Sequence, residues 1–359
     1  MKKKLPTIKD VARVAGVSIS TVSAVMNANK PVSPELRKRV EQASEQLDFH
    51  PNQQARSLNR KTSRTLAYLT PDIGNAGFLR IFDHVTRVAN KRGYSMVLVD
   101  ASGTPDDVQS ALKKIVELRV DGAFLTMSWS IVRLAEDIDR LARRGIHAAG
   151  IAGSWPIAGR DCYLWDEREA GEQLGRYLSQ IGHQQVLFLA PDQSRSSELR
   201  QQGLLSGLSD RGPQARLIAQ RTSNYSPDAG YQALQAAIAE ARGFSAVVCF
   251  NDAIAVGALA ALHDHGLNVP DNVSLATFGD SLQEFTRPRV TSVTFNEEVM
   301  AKDCANRLID RIEGIETSEP ENHFYRMQLA IKASTDLPRT FHPAAIGAST
   351  VSDTPYGAG

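Results

Sequence analysis

Residues 7 to 27 hold two short stretches of helical periodicity separated by one glycine, and few folds accommodate that arrangement. Thr7 can cap a first helix whose apolar face is Ile8, Val11, Ala12 and Ala15, and Gly16 then permits a sharp bend. Ser18 can cap a second helix that buries Val22 and Val25. That leaves Ile19, Ser20, Thr21, Ser23 and Ala24 on or beside its outer face, the disposition of a helix-turn-helix recognition element. Small hydroxylated side chains let such a helix sit close to phosphates and base edges.

Charge is distributed unevenly. Residues 1–64 carry 13 Lys/Arg against 5 Asp/Glu, a net of +8, so the whole-chain value of +1 conceals a basic head on a body of −7. Lys2, Lys3, Lys4, Lys9, Arg13, Lys30, Arg37, Lys38 and Arg39 crowd around the helix-turn-helix. A polyanion met by one end of the molecule, double-stranded DNA, is the partner this pattern predicts.

At 359 residues and 42% hydrophobic content the chain can bury a large core, divided over two or three domains. No apolar run nears the roughly 20 residues that span a bilayer, and the Lys-rich start leads into an amphipathic helix, so a cytoplasmic protein with no membrane partner is expected. Cys162, Cys249 and Cys304 lie far apart without metal-type spacing, which predicts buried free thiols and no metal or cofactor. There is no nucleophile elbow, phosphate-binding loop or paired ligand motif, so no enzyme is expected, and His183 reads as a turn residue.

Ser33 to Leu47 is a third amphipathic helix with Leu36, Val40, Ala43 and Leu47 as its buried stripe, closing a three-helix domain. His50 to Thr65 is polar and basic with one large apolar residue, Leu58, near its middle. The segment from Asn52 to Asn59 is too short to hold a helix alone in water and would fold only against something else.

From Thr65 onward short apolar strands alternate with amphipathic helices, an α/β rhythm. Strands are predicted at 65–70, 95–99, 122–126 and 146–151, then at 186–189, 215–219, 246–250 and 274–278, with helices between them, a helix over 296–313 and one last strand over 325–331. Two parallel-sheet lobes are implied, crossed more than once by the chain. Ligands in such architectures bind between lobes at the carboxyl ends of strands.

The runs Thr7-Ile-Lys-Asp-Val-Ala, Gly16-Val-Ser-Ile-Ser-Thr-Val-Ser and Pro51-Asn-Gln-Gln-Ala-Arg-Ser-Leu resemble the LacI/GalR family of bacterial transcription regulators. The body adds Ile181-Gly-His-Gln-Gln-Val, Arg200-Gln-Gln-Gly, Phe250-Asn-Asp-Ala-Ile-Ala-Val-Gly and Gly266-Leu-Asn-Val-Pro-Asp, so the likeness runs from about Thr7 to Leu337. The resemblance implies an all-α helix-turn-helix head on an α/β two-lobed, periplasmic-binding-protein-like body with parallel sheets flanked by helices. It divides the chain into a DNA-binding domain (1–50), a hinge helix and linker (51–64), an effector and dimerisation domain (65–337) and a disordered tail (338–359). Within the body the N-lobe is expected over about 65–160 and 293–322, the C-lobe over 161–292 and 323–337. The tail lacks heptads, so a homodimer is expected, reading a pseudo-palindromic operator.

Residue by residue, the resemblance makes Leu58 a hinge leucine that wedges into the minor groove, at a cost in unstacking recovered through extra contacts. Thr7, Thr21, Ser23 and Asn27 become DNA-backbone contacts, Ile19 and Ser20 the main base-facing candidates, and Ser18 and Ala24 further DNA-binding residues. Ala24 stands where the family often has an arginine and cannot make the bidentate guanine contact, so a different preferred operator is expected. For a sugar-like effector the resemblance points to Arg200, Tyr225, Asn251, Phe78 and Asp280. Each has a plainer reading: Arg200 as a surface helix residue, Tyr225 and Phe78 as packing, Asn251 as a turn former. The family's aspartate after the strand at 146–151 is replaced by Ala152-Gly-Ser-Trp155, and Trp129 and Trp155 are candidate pocket walls in its place. Two rival functions remain, a regulator answering to a protein corepressor and a solute-binding protein, although the second has no use for a basic head.

Overall fold

The computed structural model describes residues 6–27, 31–49, 62–102, 105–126, 134–153, 155–191, 194–212 and 215–338. It divides into two compact units, residues 1–64 and 65–359. Leu58, Trp129 and most of the expected hinge and tail lie outside the described residues.

The first unit is three helices, α1 (Ile8–Ala15), α2 (Ile19–Asn27) and α3 (Pro34–Gln46). Val11, Ala12, Ala15, Val22, Val25, Val40 and Ala43 meet in one small core. Thr7 begins α1 with its backbone N–H and its hydroxyl both donating to Asp10, at 3.0 and 2.7 Å. Gly16 takes φ of +62° at the bend, where a side chain would collide with Arg39. Arg39 Nη2 donates to the Ala15 and Gly16 carbonyls at 2.6 and 3.2 Å. This member of the basic cluster therefore closes the carboxyl end of α1.

The second unit is two six-stranded sheets. In chain order its elements are β1 (Thr65–Thr70), α4 (Ala76–Lys91), β2 (Ser95–Asp100), α5 (Pro105–Glu117), β3 (Gly122–Leu125), α6 (Ala135–Arg143), β4 (His147–Gly153) and β5 (Cys162–Trp165). There follow α7 (Glu167–Gln180), β6 (Gln185–Pro191), α8 (Arg195–Leu208), β7 (Arg216–Thr222), α9 (Pro227–Ala239), β8 (Ala246–Cys249), α10 (Asp252–Asp264) and β9 (Ser274–Phe278). Last come β10 (Thr291–Thr294), α11 (Glu297–Ile312), β11 (Asn322–Tyr325) and β12 (Gln328–Ala330). The N-lobe sheet has the order β11-β5-β4-β3-β1-β2 and is parallel throughout. The C-lobe sheet, β12-β10-β9-β8-β6-β7, is parallel except where β12 runs against β10.

Strand β1 shows why these runs are near-continuously apolar: Ala67 and Leu69 enter the core shared with α5 and α6, while Leu66 and Tyr68 enter the opposite core with α4 and α11. A sheet buried on both faces leaves its strand ends as the places where backbone and polar side chains meet solvent. Most consecutive parallel strands are joined through an α-helix, β4–β5 and β9–β10 excepted, and parallel pairing opens the carboxyl ends of a sheet on one side.

The chain crosses between lobes three times, between β5 and α7, between β10 and α11, and between β11 and β12. The expected lobe limits were 160/161, 292/293 and 322/323; each crossing lies a few residues later. Cys162–Trp165 belongs to the N-lobe sheet, beside β4 and β11, and Thr291–Thr294 to the C-lobe sheet beside β9. Both are four-residue strands, too short to show a period. The single strand expected over 325–331 is two strands in different sheets, because the third crossing passes through it.

Helices α7 and α8 cross at backbone contact. A Cβ on Gly171 would lie 2.4 Å from the Arg200 carbonyl, and one on Gly203 would lie 2.1 Å from the Arg168 carbonyl; Gly175 and Gly207 repeat the contact one turn on. This approach sets the depth of Glu167 and Arg200, one on each helix. No described helix is long and apolar enough to cross a membrane. The three cysteines are free and buried.

His183 is 2% exposed and joins Ser245 Oγ (2.7 Å), Ser274 Oγ (3.1 Å) and the Asp336 carbonyl (3.0 Å), tying the last described segment to the C-lobe. Burial pushes its pKa down to about 4. A depressed histidine contributes stability that is present above its unfolded value of about 6.5 and lost as pH falls toward 4. The melting temperature should therefore fall between pH 7 and pH 4.5, and this acid loss should be smaller in His183→Gln, measured by circular dichroism. Gly203→Val is expected to cost about 3 kcal/mol or more by forcing the helices apart, read as a lowered denaturation midpoint; an unchanged midpoint would refute the close-contact role.

Candidate functional site

On the head, Ser18 Oγ accepts the Thr21 backbone N–H at 3.1 Å and lies 2.7 and 2.8 Å from the Ser20 and Thr21 hydroxyls. Ser18 thus starts α2 as expected. Ser18, Ile19 and Ser20 are exposed, Ile19 at 46%, and Thr21 and Ser23 are half-buried. An exposed isoleucine at the first turn of a short helix, ringed by hydroxyls, has no role in the head's own core. Thr7 is exposed but its hydroxyl already donates to Asp10. Ala24 does not take the outer position expected for it: it is buried, 8% exposed, because a single methyl lies close to the helix surface and its neighbours cover it. Asn27 ends α2, and its side chain falls outside what the structure describes.

In the body, the carboxyl ends of both sheets face a common cleft of about 230 Å³. From the N-lobe it is lined by Asn75 in the loop after β1, by Phe78 in the first turn of α4, by Thr126 after β3 and by Ala152 in β4; from the C-lobe by Ser194, Tyr225, Asn251 and Gly279, after β6, β7, β8 and β9. The crossings supply Trp165, Phe295 and Met327. Trp165 and Phe295 meet edge to face at 4.3 Å, which joins two crossings under the cleft. Ala152 has φ of +53° where the β4–β5 register shifts, a strained conformation for a residue with a Cβ, stored at the cleft wall.

Arg200 is the most completely held polar group of the site. It is 6% exposed, its guanidinium lies over Phe250 at 4.3 Å and Phe278 at 4.5 Å, and Nη1 donates to the Phe250 carbonyl at 2.5 Å. Nε donates to Glu167, itself 1% exposed, whose other oxygen accepts the Trp165 indole N–H at 2.7 Å. The plainer reading of Arg200 as a surface residue therefore fails. Its Nη2 has no partner among the described residues.

Tyr225 and Phe78 also line the cleft, Tyr225 with its ring tilted against Phe250 at 5.3 Å. Burial raises the Tyr225 phenol, partly offset by its hydrogen bond with Ser194. Asn251 is at the wall but its amide is spent: Oδ1 accepts from the Ile254 N–H at 2.9 Å, capping α10, and Nδ2 donates to the Tyr225 carbonyl at 3.2 Å. It positions Tyr225 against the helix, and the turn-former reading accounts for both ends of its side chain. Asp280 does not line the cleft; it faces Arg80 of α4 at 3.5 Å on the outer side. Gly279 and Ser281, on either side of it, occupy the wall instead. Trp155 is half-buried beneath the Arg195 guanidinium at 5.2 Å and does not line the cleft.

Sequence reasoning missed Glu167, Trp165, Phe250, Phe278, Phe295 and Glu297. Trp165 ends the unrecognised strand β5, and Glu167 opens α7 directly after it. Phe250 and Phe278 were read as ends of strands, and strand ends are where this cleft is.

Two family descriptions match the chain: bacterial regulatory proteins, lacI family, over residues 7–52, and periplasmic binding protein-like domain over residues 176–335. The HTH-type transcriptional regulator GalR of Escherichia coli K12 is 31% identical over 303 residues, 84% of this chain and 88% of the relative. The HTH-type transcriptional repressor PurR of Vibrio atlanticus is 28% identical over 316 residues, 86% of this chain and 92% of the relative. Among solved structures, the Lac repressor dimer bound to operator and the anti-inducer ONPF has a TM-score of 0.79 at 24% identity, covering 93% of this chain and all of that one. It shares the fold.

Removing Glu167 alone leaves a buried guanidinium without its counter-charge, so Glu167→Ala is expected to cost about 3 kcal/mol or more in urea unfolding. The double variant Glu167→Ala/Arg200→Met should recover part of that loss. Additive losses in the double variant would show that the pair is not coupled.

Proposed function

This chain belongs to the lacI family of bacterial regulatory proteins, and on that premise we propose that it is a dimeric repressor of transcription whose DNA affinity is set by a small sugar-like metabolite in the inter-lobe cleft. The observation that carries the reading is a division of labour: a cationic three-helix head with an exposed Ile19 and hydroxyl face, and a body whose cleft presents a buried, pre-oriented arginine among aromatic rings. Ile19 and Ser20 read base edges, the first through apolar contact with a thymine methyl, while Ser18, Thr21, Ser23, Thr7 and Asn27 position the head on phosphates. Leu58 is the minor-groove wedge. No catalytic step belongs to this function.

In the cleft, Arg200 offers Nη2 to ligand hydroxyl or carbonyl oxygens, and its own rotamer is locked before the ligand arrives, which lowers the entropy lost on binding. Tyr225, Phe78, Phe250 and Phe278 supply flat faces for a ring. Repression relieved or imposed by the ligand follows from linkage: a ligand that weakens DNA binding must bind the DNA complex more weakly by the same factor. The expected operator is pseudo-palindromic, with half-sites about one helical turn apart.

The test is selection of duplexes from a random pool, followed by gel-shift titration with a panel of sugars. Arg200→Ala is expected to bind the selected duplex with unchanged affinity and to lose the response to the active sugar at least tenfold. A normal response would remove Arg200 from the ligand site, and absence of any preferred duplex would overturn the function.

A further inference from the structure

Glu297, the first residue of α11, stands at the second crossing between lobes and belongs to the walls of two cavities at once, the cleft and an outer pocket that also contains Arg80 and Asp280. Its side chain is 6% exposed. Oε2 is ion-paired with Arg80 Nε at 2.8 Å and takes no second donor among the described residues. Buried carboxylates are ordinarily given two or more donors. Here the carboxyl is held at the cleft wall with accepting capacity unspent.

The charges around it sharpen the chemistry. Arg80 is shared between Glu297 and Asp280, and Asp252 adds a third carboxylate from the start of α10, its Oδ2 accepting the Ser281 N–H at 2.7 Å. Lys332, whose pKa burial lowers, lies near Asp280 and Asp252, with Arg289 beside it. Arg80 lines only the outer pocket. Within the cleft itself the charged lining residues are Glu167, Asp252 and Glu297 against the single guanidinium of Arg200, which already faces Glu167. Consistent with that crowding, burial raises the Glu297 carboxyl to about 7, with Arg80 opposing and Asp280 and Asp252 adding to the rise. A phosphate or carboxylate brought here would meet like charge once these carboxyls are ionised; a hydroxyl or ammonium would meet an acceptor with capacity beyond its one arginine.

We propose that Glu297 binds the ligand directly and sets its class: a ring compound presenting a hydroxyl or amine donor at this end of the cleft, with phosphorylated and carboxylated forms of the same ring excluded. This rests on the proposed ligand-binding role of the cleft. Asp280, through Arg80, holds the N-lobe helix against the C-lobe loop and keeps Glu297 in place without touching the ligand.

The experiment uses the full chain and calorimetric titration with four probes that differ in one group: galactose, galactosamine, galactose 6-phosphate and galacturonate. Wild-type protein is expected to bind galactose or galactosamine at least tenfold more tightly than either anion. Glu297→Gln, which keeps the shape and an acceptor, is expected to lose at least tenfold for galactosamine, less for galactose, and to gain affinity for the anions. Galactosamine ahead of galactose in the wild type identifies an amine donor, the reverse order a hydroxyl. Wild-type preference for either anion, or a Glu297→Gln variant whose four affinities are unchanged or fall by one common factor, overturns the assignment, the second because a purely structural role would act on all four alike. Failure of the wild type to bind any probe, with duplex binding intact, overturns this assignment, while the sugar-like ligand of the proposed function is decided separately by the wider sugar panel. If Glu297→Ala does not fold, as the melting curve would show, the near-isosteric Gln variant carries the comparison alone.

Discussion

The pairing of Arg200 with Glu167 is the interaction around which the ligand site is organised. Neither residue could be buried by itself: an isolated ion in a low-dielectric interior costs several kcal/mol even after relaxation. Four glycines bring α7 and α8 into backbone contact, so that the carboxylate at the start of one helix meets the guanidinium on the other. Phe250 and Phe278 close over the guanidinium faces and fix its fork. Small residues far along the helices thus determine a donor's position at the cleft, and the cleft inherits its rigidity from the crossing rather than from its loops.

Much of this was legible in the chain. The head followed from Thr7, Gly16 and Ser18, whose capping and bending roles depend only on local geometry, and the buried periodicity of Val11, Val22, Val25 and Val40 needed no tertiary information. Most body strands were legible because a sheet covered on both faces demands continuous apolar runs. Strands β5 and β10 were not, since each follows the preceding strand without an intervening α-helix and so breaks the strand–helix alternation, and their assignment depends on which sheet they join. Arg200, Tyr225 and Phe78 were named through the family resemblance. Asp280, Trp155 and Ala24 departed from their expected places because the Arg80 guanidinium, the Arg195 guanidinium and side-chain size, respectively, acted where no local signal reported them.

Several polar groups do structural work that their residue types conceal. Arg39 belongs to a basic cluster in sequence but caps α1, Asn251 looks like a ligand amide but caps α10, and His183 reads as a turn residue but anchors residue 336. In each case the backbone's unmet hydrogen bonds decided the matter. Where the cleft does keep capacity in reserve, at Arg200 Nη2 and at Glu297, the side chain is buried by packing with fewer partners than it could take.

Regulation requires that occupancy of the cleft and grip on DNA be energetically linked. The most direct measurement is a thermodynamic cycle on the whole chain: Kd for a selected duplex with and without saturating sugar, and Kd for the sugar with and without duplex. Both ratios should depart from one by the same factor, at least fivefold. A duplex affinity that stays the same while the cleft is demonstrably filled would contradict the coupling, whatever each site does alone.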